Sequence, residues 1–140
     1  FADFDVFASS RSDCSEVAGS MGVVWCRTME EFVSQRLDVL IVATSILSFE
    51  GMLRKLIDAI SKSECPAAKQ MLIVDVLSVK VHAKTTMLAL LPESCDILCT
   101  HPMFGPESGK HGWSGLPFVF EKVRMRDARR CEDFVKWWGE

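Results

Sequence analysis

Met71-Leu72-Ile73-Val74-Asp75-Val76-Leu77-Ser78-Val79-Lys80 is the stretch whose reading decides the fold. The run Met71 to Val76 is short, rich in β-branched residues and almost continuously apolar, which suits a strand buried on both faces of a parallel sheet. Similar runs stand on either side at Phe4 to Ala8, Val23 to Cys26, Val39 to Ala43, Ile97 to Thr100 and Phe118 to Phe120. Between them, Glu16 to Ser20, Met29 to Gln35, Phe49 to Ser61, His82 to Leu91 and Asp127 to Trp138 predict helices. In the third of these, Met52, Leu53, Leu56, Ile57 and Ile60 form an apolar stripe, with Arg54, Lys55 and Asp58 largely outside it. Strand alternating with helix predicts an α/β sheet with right-handed crossovers. No repeat or low-complexity linker interrupts the pattern, so residues 1–140 read as one domain.

A chain of 140 residues, 49% of them hydrophobic, can bury one sizeable core. Its longest apolar runs fall far short of the roughly 20 residues a membrane-crossing helix needs, so no span is expected. The net charge of −3, with both signs interspersed, supplies no basic field for nucleic acid. The cysteines, at 14, 26, 65, 95, 99 and 131, form no C-x-x-C pair and read as buried reduced thiols. Cys95, Cys99 and His101 share a face if residues 96–100 are extended. No fourth ligand or zinc-type spacing accompanies them, and no metal is expected.

Ligands of open α/β sheets sit outside the carboxyl ends of the strands, so the residues there are the candidates. After Phe4 to Ala8 comes Ser9-Ser10-Arg11-Ser12. An acidic residue at this place would bind a ribose 2′-hydroxyl, whereas hydroxyls with an arginine suit a 2′-phosphate, favouring NADP over NAD. A solvated turn with Ser12 or Asp13 capping a helix is the alternative. Thr44-Ser45-Ile46, after the third strand, either lines the cofactor or caps a helix through Ser45 or Ser48. Ser78 stands just past the strand that opens this section, where it is either a cap or a functional hydroxyl, and Asp75 reads as a turn former. His101 stands just past the next predicted strand in Cys99-Thr100-His101-Pro102-Met103-Phe104-Gly105-Pro106-Glu107-Ser108-Gly109. It is either a satisfied loop residue or a candidate for proton transfer, histidine being the side-chain type suited to that work near neutral pH. Neighbouring strand ends could bring Ser78 and His101 to one substrate.

Taken together, Val74 to Lys80 (VDVLSVK) and Leu98 to Trp113 (LCTHPMFGPESGKHGW), with SRSD at 10–13 and ATSI at 43–46 upstream, carry a resemblance. The chain resembles the prephenate and arogenate dehydrogenase family, in particular its plant arogenate dehydrogenases, over nearly its whole length. That resemblance implies a Rossmann-like parallel sheet and oxidative decarboxylation of arogenate or prephenate in tyrosine biosynthesis, with hydride passing to a nicotinamide, here NADP. Carried over by motif position, His101 would draw the proton from the ring hydroxyl, and Ser78 would hydrogen-bond that hydroxyl or His101. Glu107, Ser108 and Gly109 match a loop beside the substrate. Lys80 and Lys110 could favour the substrate carboxylates, but exposed lysines are usually only solvated, and they stay outside the catalytic set.

The resemblance also implies parts that these residues do not contain. No G-x-G-x-x-G occurs, and Phe1 falls inside what reads as a strand with no leader before it. The expectation is a sheet lacking its first βα unit and lacking the helical carboxyl-terminal domain through which full-length relatives form homodimers. Each hydrogen bond to a charged group is worth roughly 1.5 to 3 kcal/mol, and micromolar binding corresponds to about 8 kcal/mol. Residues 1–140 alone are therefore expected to be inactive or nearly so. The alternative is a truncated, non-catalytic relative serving as a binding or regulatory domain, or a pseudogene product. Plant relatives work in plastids, the compartment the resemblance implies.

Overall fold

The structure is a computed structural model that describes residues 4–105 and 107–139, so the expected strand start at Phe1 lies outside the described residues. The elements follow in the order β1 (Phe7–Ala8), α1 (Ser15–Ser20), β2 (Val24–Trp25), α2 (Met29–Val33), β3 (Val39–Val42), α3 (Ile46–Lys62), β4 (Leu72–Asp75), α4 (Lys80–Leu90), β5 (Asp96–Pro102), β6 (Phe118–Arg124) and α5 (Ala128–Gly139). Each expected strand and helix is present. The strands form two sheets, β1-β2 and β3-β4-β5-β6, and every pair is parallel except β5 with β6. The parallel α/β architecture stands, with two corrections.

The last strand runs antiparallel because no α-helical crossover separates it from β5, only one 3-10 turn at Ser108–His111. A loop joins them instead, closed where the Met103 N–H donates to the Pro117 carbonyl at 2.9 Å, and antiparallel neighbours need only such a hairpin connection. The second correction is that β5 does not end at Thr100. It continues through His101 and Pro102, which pair with Val119 and Phe118. His101 is thus a strand residue. The first strand is shorter than its apolar run, and Phe4, ahead of it, sets its ring against Trp137 of α5, with centroids 5.4 Å apart.

Side chains alternate across a strand, and this sorts the larger sheet into two faces. Leu40, Val42, Ile73, Ile97 and Cys99 lie on one face, packed with Phe49, Leu53, Leu56 and Ile60 of α3 and with Ala83 and Met87 of α4. Leu72, Val74 and Leu98 lie on the other, under Cys131 and Phe134 of α5. Removing each large apolar side chain from water stabilises the fold by about 1.5 to 3 kcal/mol, so β4 and β5, covered on both faces, anchor the molecule. The apolar stripe read in α3 is only partly the buried one: Leu53, Leu56 and Ile60 are buried with Phe49, while Met52 and Ile57 are half-buried. All six cysteines are free; Cys26, Cys95, Cys99 and Cys131 are buried, as read, but Cys14 is exposed.

Local capping sets the helix starts. Thr28 accepts the Glu31 N–H at 3.1 Å, and the Glu31 carboxylate accepts the Arg27 N–H at 2.8 Å, so the first turn of α2 is held from both sides. Just past the end of α2, Arg36 has a φ of 57°, a left-handed conformation that disfavours side chains with a Cβ. Arg36→Gly should therefore raise stability by about 0.5 to 1 kcal/mol, read as a higher urea midpoint at unchanged slope.

Candidate active site

Asp75 ends β4 with its side chain fully buried. A buried carboxylate must be paired and hydrogen-bonded, and three groups converge on this residue. The Leu77 N–H donates to Oδ1 at 3.0 Å, closing the expected turn. The Lys80 ammonium group donates to the same oxygen and also to the Thr100 carbonyl of β5. The Thr100 hydroxyl, in turn, donates to the Asp75 carbonyl at 2.5 Å. The end of β4, the turn after it, the start of α4 and the end of β5 are thereby tied into one unit. Lys80 is not the solvated lysine the sequence suggested: its side chain is only 27% exposed.

His101 follows Thr100 directly. Because Asp75 pairs with Cys99, and side chains two apart share a face, His101 lies on the Asp75 side of the sheet, the side covered by α3 and α4. Ser78 lies in the β4–α4 connection on that same rim. It is exposed, it is not the residue that caps α4, and it makes no hydrogen bond among the described residues. The His101 imidazole is half-buried and likewise makes none among the described residues, so of the two expected partners of Ser78, the substrate hydroxyl or His101, the second is not engaged here. What the fold brings together is the two backbone positions, at the carboxyl ends of neighbouring parallel strands.

The loop of residues 103–117 leaves β5 immediately beyond His101. Glu107 and Ser108 are exposed, and Glu107 pairs with Lys110 at 3.0 Å, a surface ion pair contributing about 0 to 1 kcal/mol. Gly109 is held closely: a Cβ there would sit 3.3 Å from both the Phe104 ring and the Trp113 indole nitrogen. Trp113 stacks on Trp138 of α5 at 4.8 Å, and Trp138 stacks on Phe118 at 4.7 Å. An aromatic stack thus fastens this loop to the opposite helix layer.

The remaining candidates lie apart from His101 in sequence. Ser9, Ser10, Arg11 and Ser12 follow β1 in the smaller sheet. Ser10 donates to the Ser12 carbonyl at 2.6 Å, and Asp13 accepts the Ser15 N–H at 2.9 Å ahead of α1, the turn held as an alternative, although the cap position itself falls to Cys14, which makes no side-chain cap bond. The hydrogen bonds from Ser15 hold the Asp13 carboxyl below the usual carboxylate range. Arg11 is exposed and makes no ion pair among the described residues, so that same turn leaves its guanidinium open. After β3, Ser45 occupies the cap position of α3, but its hydroxyl donates to Ser48 at 3.0 Å rather than accepting a helix N–H. The Thr44 hydroxyl is buried without a partner, one of two such side-chain atoms among the described residues; the other is Asp75 Oδ2. Both belong to the rim. Orphaned buried polar atoms are rare in proteins, and a ligand or ordered water commonly completes them. The rim is also unusually apolar for an exposed edge: Leu47 is 94% exposed, Val81 76% and Met103 53%.

Comparison with known proteins gives the family. Residues 3–121 match the family described as prephenate dehydrogenase, nucleotide-binding domain. The chain belongs to this family. It is 47% identical over 136 residues to arogenate dehydrogenase 2, chloroplastic, of Arabidopsis thaliana, covering 94% of this chain and 36% of that protein. To arogenate dehydrogenase 1, chloroplastic, of the same plant it is 45% identical over 137 residues, covering 94% of this chain and 20% of that protein. The chain thus spans about a third of one curated relative and a fifth of the other. The family match covers both the Ser9–Ser12 turn and the His101 loop, so every candidate named above falls inside it.

The sequence reading took Asp75 as a turn former and Lys80 as a solvated lysine and missed their pairing, although a signal was present. An aspartate inside the otherwise apolar run Leu72 to Val76 is a carboxylate headed for the interior, where charged groups are rarely found unless paired. A lysine five residues beyond it is the obvious partner. His82 of α4 is half-buried, its ring 6.2 Å from that of buried Phe49. No group of three His, Cys, Asp or Glu side chains placed to hold a metal occurs among the described residues.

Cys99 shows how dry the sheet is beneath the rim. Burial first, then the charge of Asp75 and hydrogen bonding to it, push its thiol up to about 12. The thiolate is the reactive form, so at pH 8 iodoacetamide should label exposed Cys14 and leave Cys99 unmodified in the folded protein. Peptide mass spectrometry before and after denaturation reads the difference.

Proposed function

We propose that this domain contributes the nucleotide-binding half of an NADP-dependent dehydrogenase that oxidatively decarboxylates arogenate or prephenate in tyrosine biosynthesis. The observation that supports the reading is the shared rim: His101 near the end of β5 and Ser78 in the turn after β4 stand at the carboxyl ends of neighbouring parallel strands, inside a matched family of dehydrogenase domains. Bound nicotinamide supplies the hydride acceptor. The residues that would hold the cofactor are Thr44 and Ser45 after β3 and the Ser9-Ser10-Arg11-Ser12 turn after β1. The orphaned Thr44 hydroxyl and the open Arg11 guanidinium fit such a ligand.

The substrate is a cyclohexadienyl alcohol. As hydride leaves the ring carbon, the hydroxyl on that carbon acidifies, and the neutral His101 imidazole accepts its proton. Ser78 donates to or accepts from the same hydroxyl and holds it at the imidazole, a positioning role in which small displacements slow the reaction steeply. Loss of carbon dioxide then drives the ring to aromaticity. Glu107, Ser108 and Gly109 form a wall of the pocket, with the aromatic stack of Trp113 and Trp138 behind them. The compartment proposed is the plastid, that of the two named relatives.

Residues 1–140 contain no G-x-G-x-x-G turn, and on our reading they do not turn over substrate by themselves. NADPH formation from arogenate by this stretch alone would contradict that. In the intact protein, His101→Asn should lower kcat by about 10² to 10⁴-fold with little change in cofactor affinity, followed by absorbance at 340 nm. Arg11→Ala should weaken NADPH by about tenfold or more and leave NADH nearly unchanged, because a charged hydrogen bond to phosphate is lost from one ligand only. Equal weakening of both by calorimetric titration would remove the 2′-phosphate assignment.

A further inference from the structure

The turn that carries Ser78 has few anchors. Leu77 is buried and its N–H is bound to Asp75, but Ser78 and Val79 are exposed and the Ser78 hydroxyl is unbonded among the described residues. On the far side of Ser78 the chain is caught by one side chain, Lys80. Its ammonium group reaches back to buried Asp75 and across to the carbonyl of Thr100, the residue that precedes His101. An ammonium group carries three donors and no acceptor, and two of the three are committed to the ends of β4 and β5.

We propose that Lys80 is a positioning residue: strapped between Asp75 and the Thr100 carbonyl, it sets the Ser78 turn against the strand end that bears His101. This rests on the reaction proposed above. Lys80 touches no reacting atom on this account. Its effect passes through the backbone of residues 76–80 on one side and of Thr100 on the other. The strap is not interchangeable with surface charge, because Asp75 has no solvent to turn to when the ammonium group is removed. A lysine acting by general attraction for substrate carboxylates would face the substrate instead, and its loss would fall mainly on KM.

The test uses the intact protein with three variants: Lys80→Arg, Lys80→Met, and Lys80→Met combined with Asp75→Asn. The last removes both charges, so that no unpaired carboxylate is left buried. Steady-state kinetics on arogenate and prephenate are paired with hydrogen exchange of residues 76–80. Lys80→Met is expected to lower kcat by about tenfold to a hundredfold while KM for either ligand moves by less than about threefold. Exchange at residues 76–80 should accelerate without change in β3, and Lys80→Arg should recover most of both losses.

Folded Lys80→Met with kcat within about twofold of wild type would overturn the proposal, and so would a loss confined to KM. Should Lys80→Met fail to fold, the double variant decides. Low kcat with fast local exchange supports the strap; wild-type kcat, or a second failure to fold, assigns the pair to stability and overturns it. A wild-type protein inactive on both substrates would instead defeat the reaction reading, leaving hydrogen exchange to judge the strap.

Discussion

A carboxylate taken out of water at the end of a strand has to be answered, and here the answer shapes the rim of the sheet. Asp75 ends β4 between buried Val42 and Cys99 of the neighbouring strands, with its own side chain fully buried, so solvent does not relieve it. The Lys80 ammonium group relieves it by folding the first turn of α4 back over the strand end. In the same motion it bonds β5. Removing one partner of a buried ion pair typically costs about 3 to 5 kcal/mol, comparable with a large part of a domain's net stability. The separation between the Ser78 turn and the His101 strand is therefore set by an interaction the molecule cannot readily give up.

The rest of the molecule holds that interaction in place. α3 and α4 cover one face of the larger sheet and α5 the other, so β4 and β5 are dry along their length. Beyond the rim the protection stops: Leu47, Val81 and Met103 stand in solvent. A rigid, dry sheet ending in an apolar, partly unsatisfied edge is the arrangement expected of a scaffold that presents its strand ends to ligands. A cleft lined by Phe4, Val39, Arg130 and Trp137 opens at the start of β3, on the opposite rim, and contains none of the candidate residues.

Much of this was legible in the residues themselves. Short apolar runs alternating with amphipathic stretches announced a parallel α/β sheet, because strands buried twice over have no polar face to show. Periodicity could not reveal where β5 stops. Its end is set by pairing with Val119 and Phe118, residues distant in sequence, and the same pairing reverses the last strand. The candidate site divides the same way. His101 and Ser78 were readable from motif position, and Asp13 from its turn chemistry. The role of Lys80 depends on a contact with Thr100, twenty residues away, that no local pattern encodes.

The central claim is that His101 and Ser78 act on one hydroxyl, and a double-mutant cycle on kcat/KM tests it most directly. With Ser78→Ala, His101→Asn and the combination measured in the intact protein, the account predicts strong coupling, the double variant being about as slow as the slower single one. Losses that simply multiply would show the two groups working independently and would contradict it.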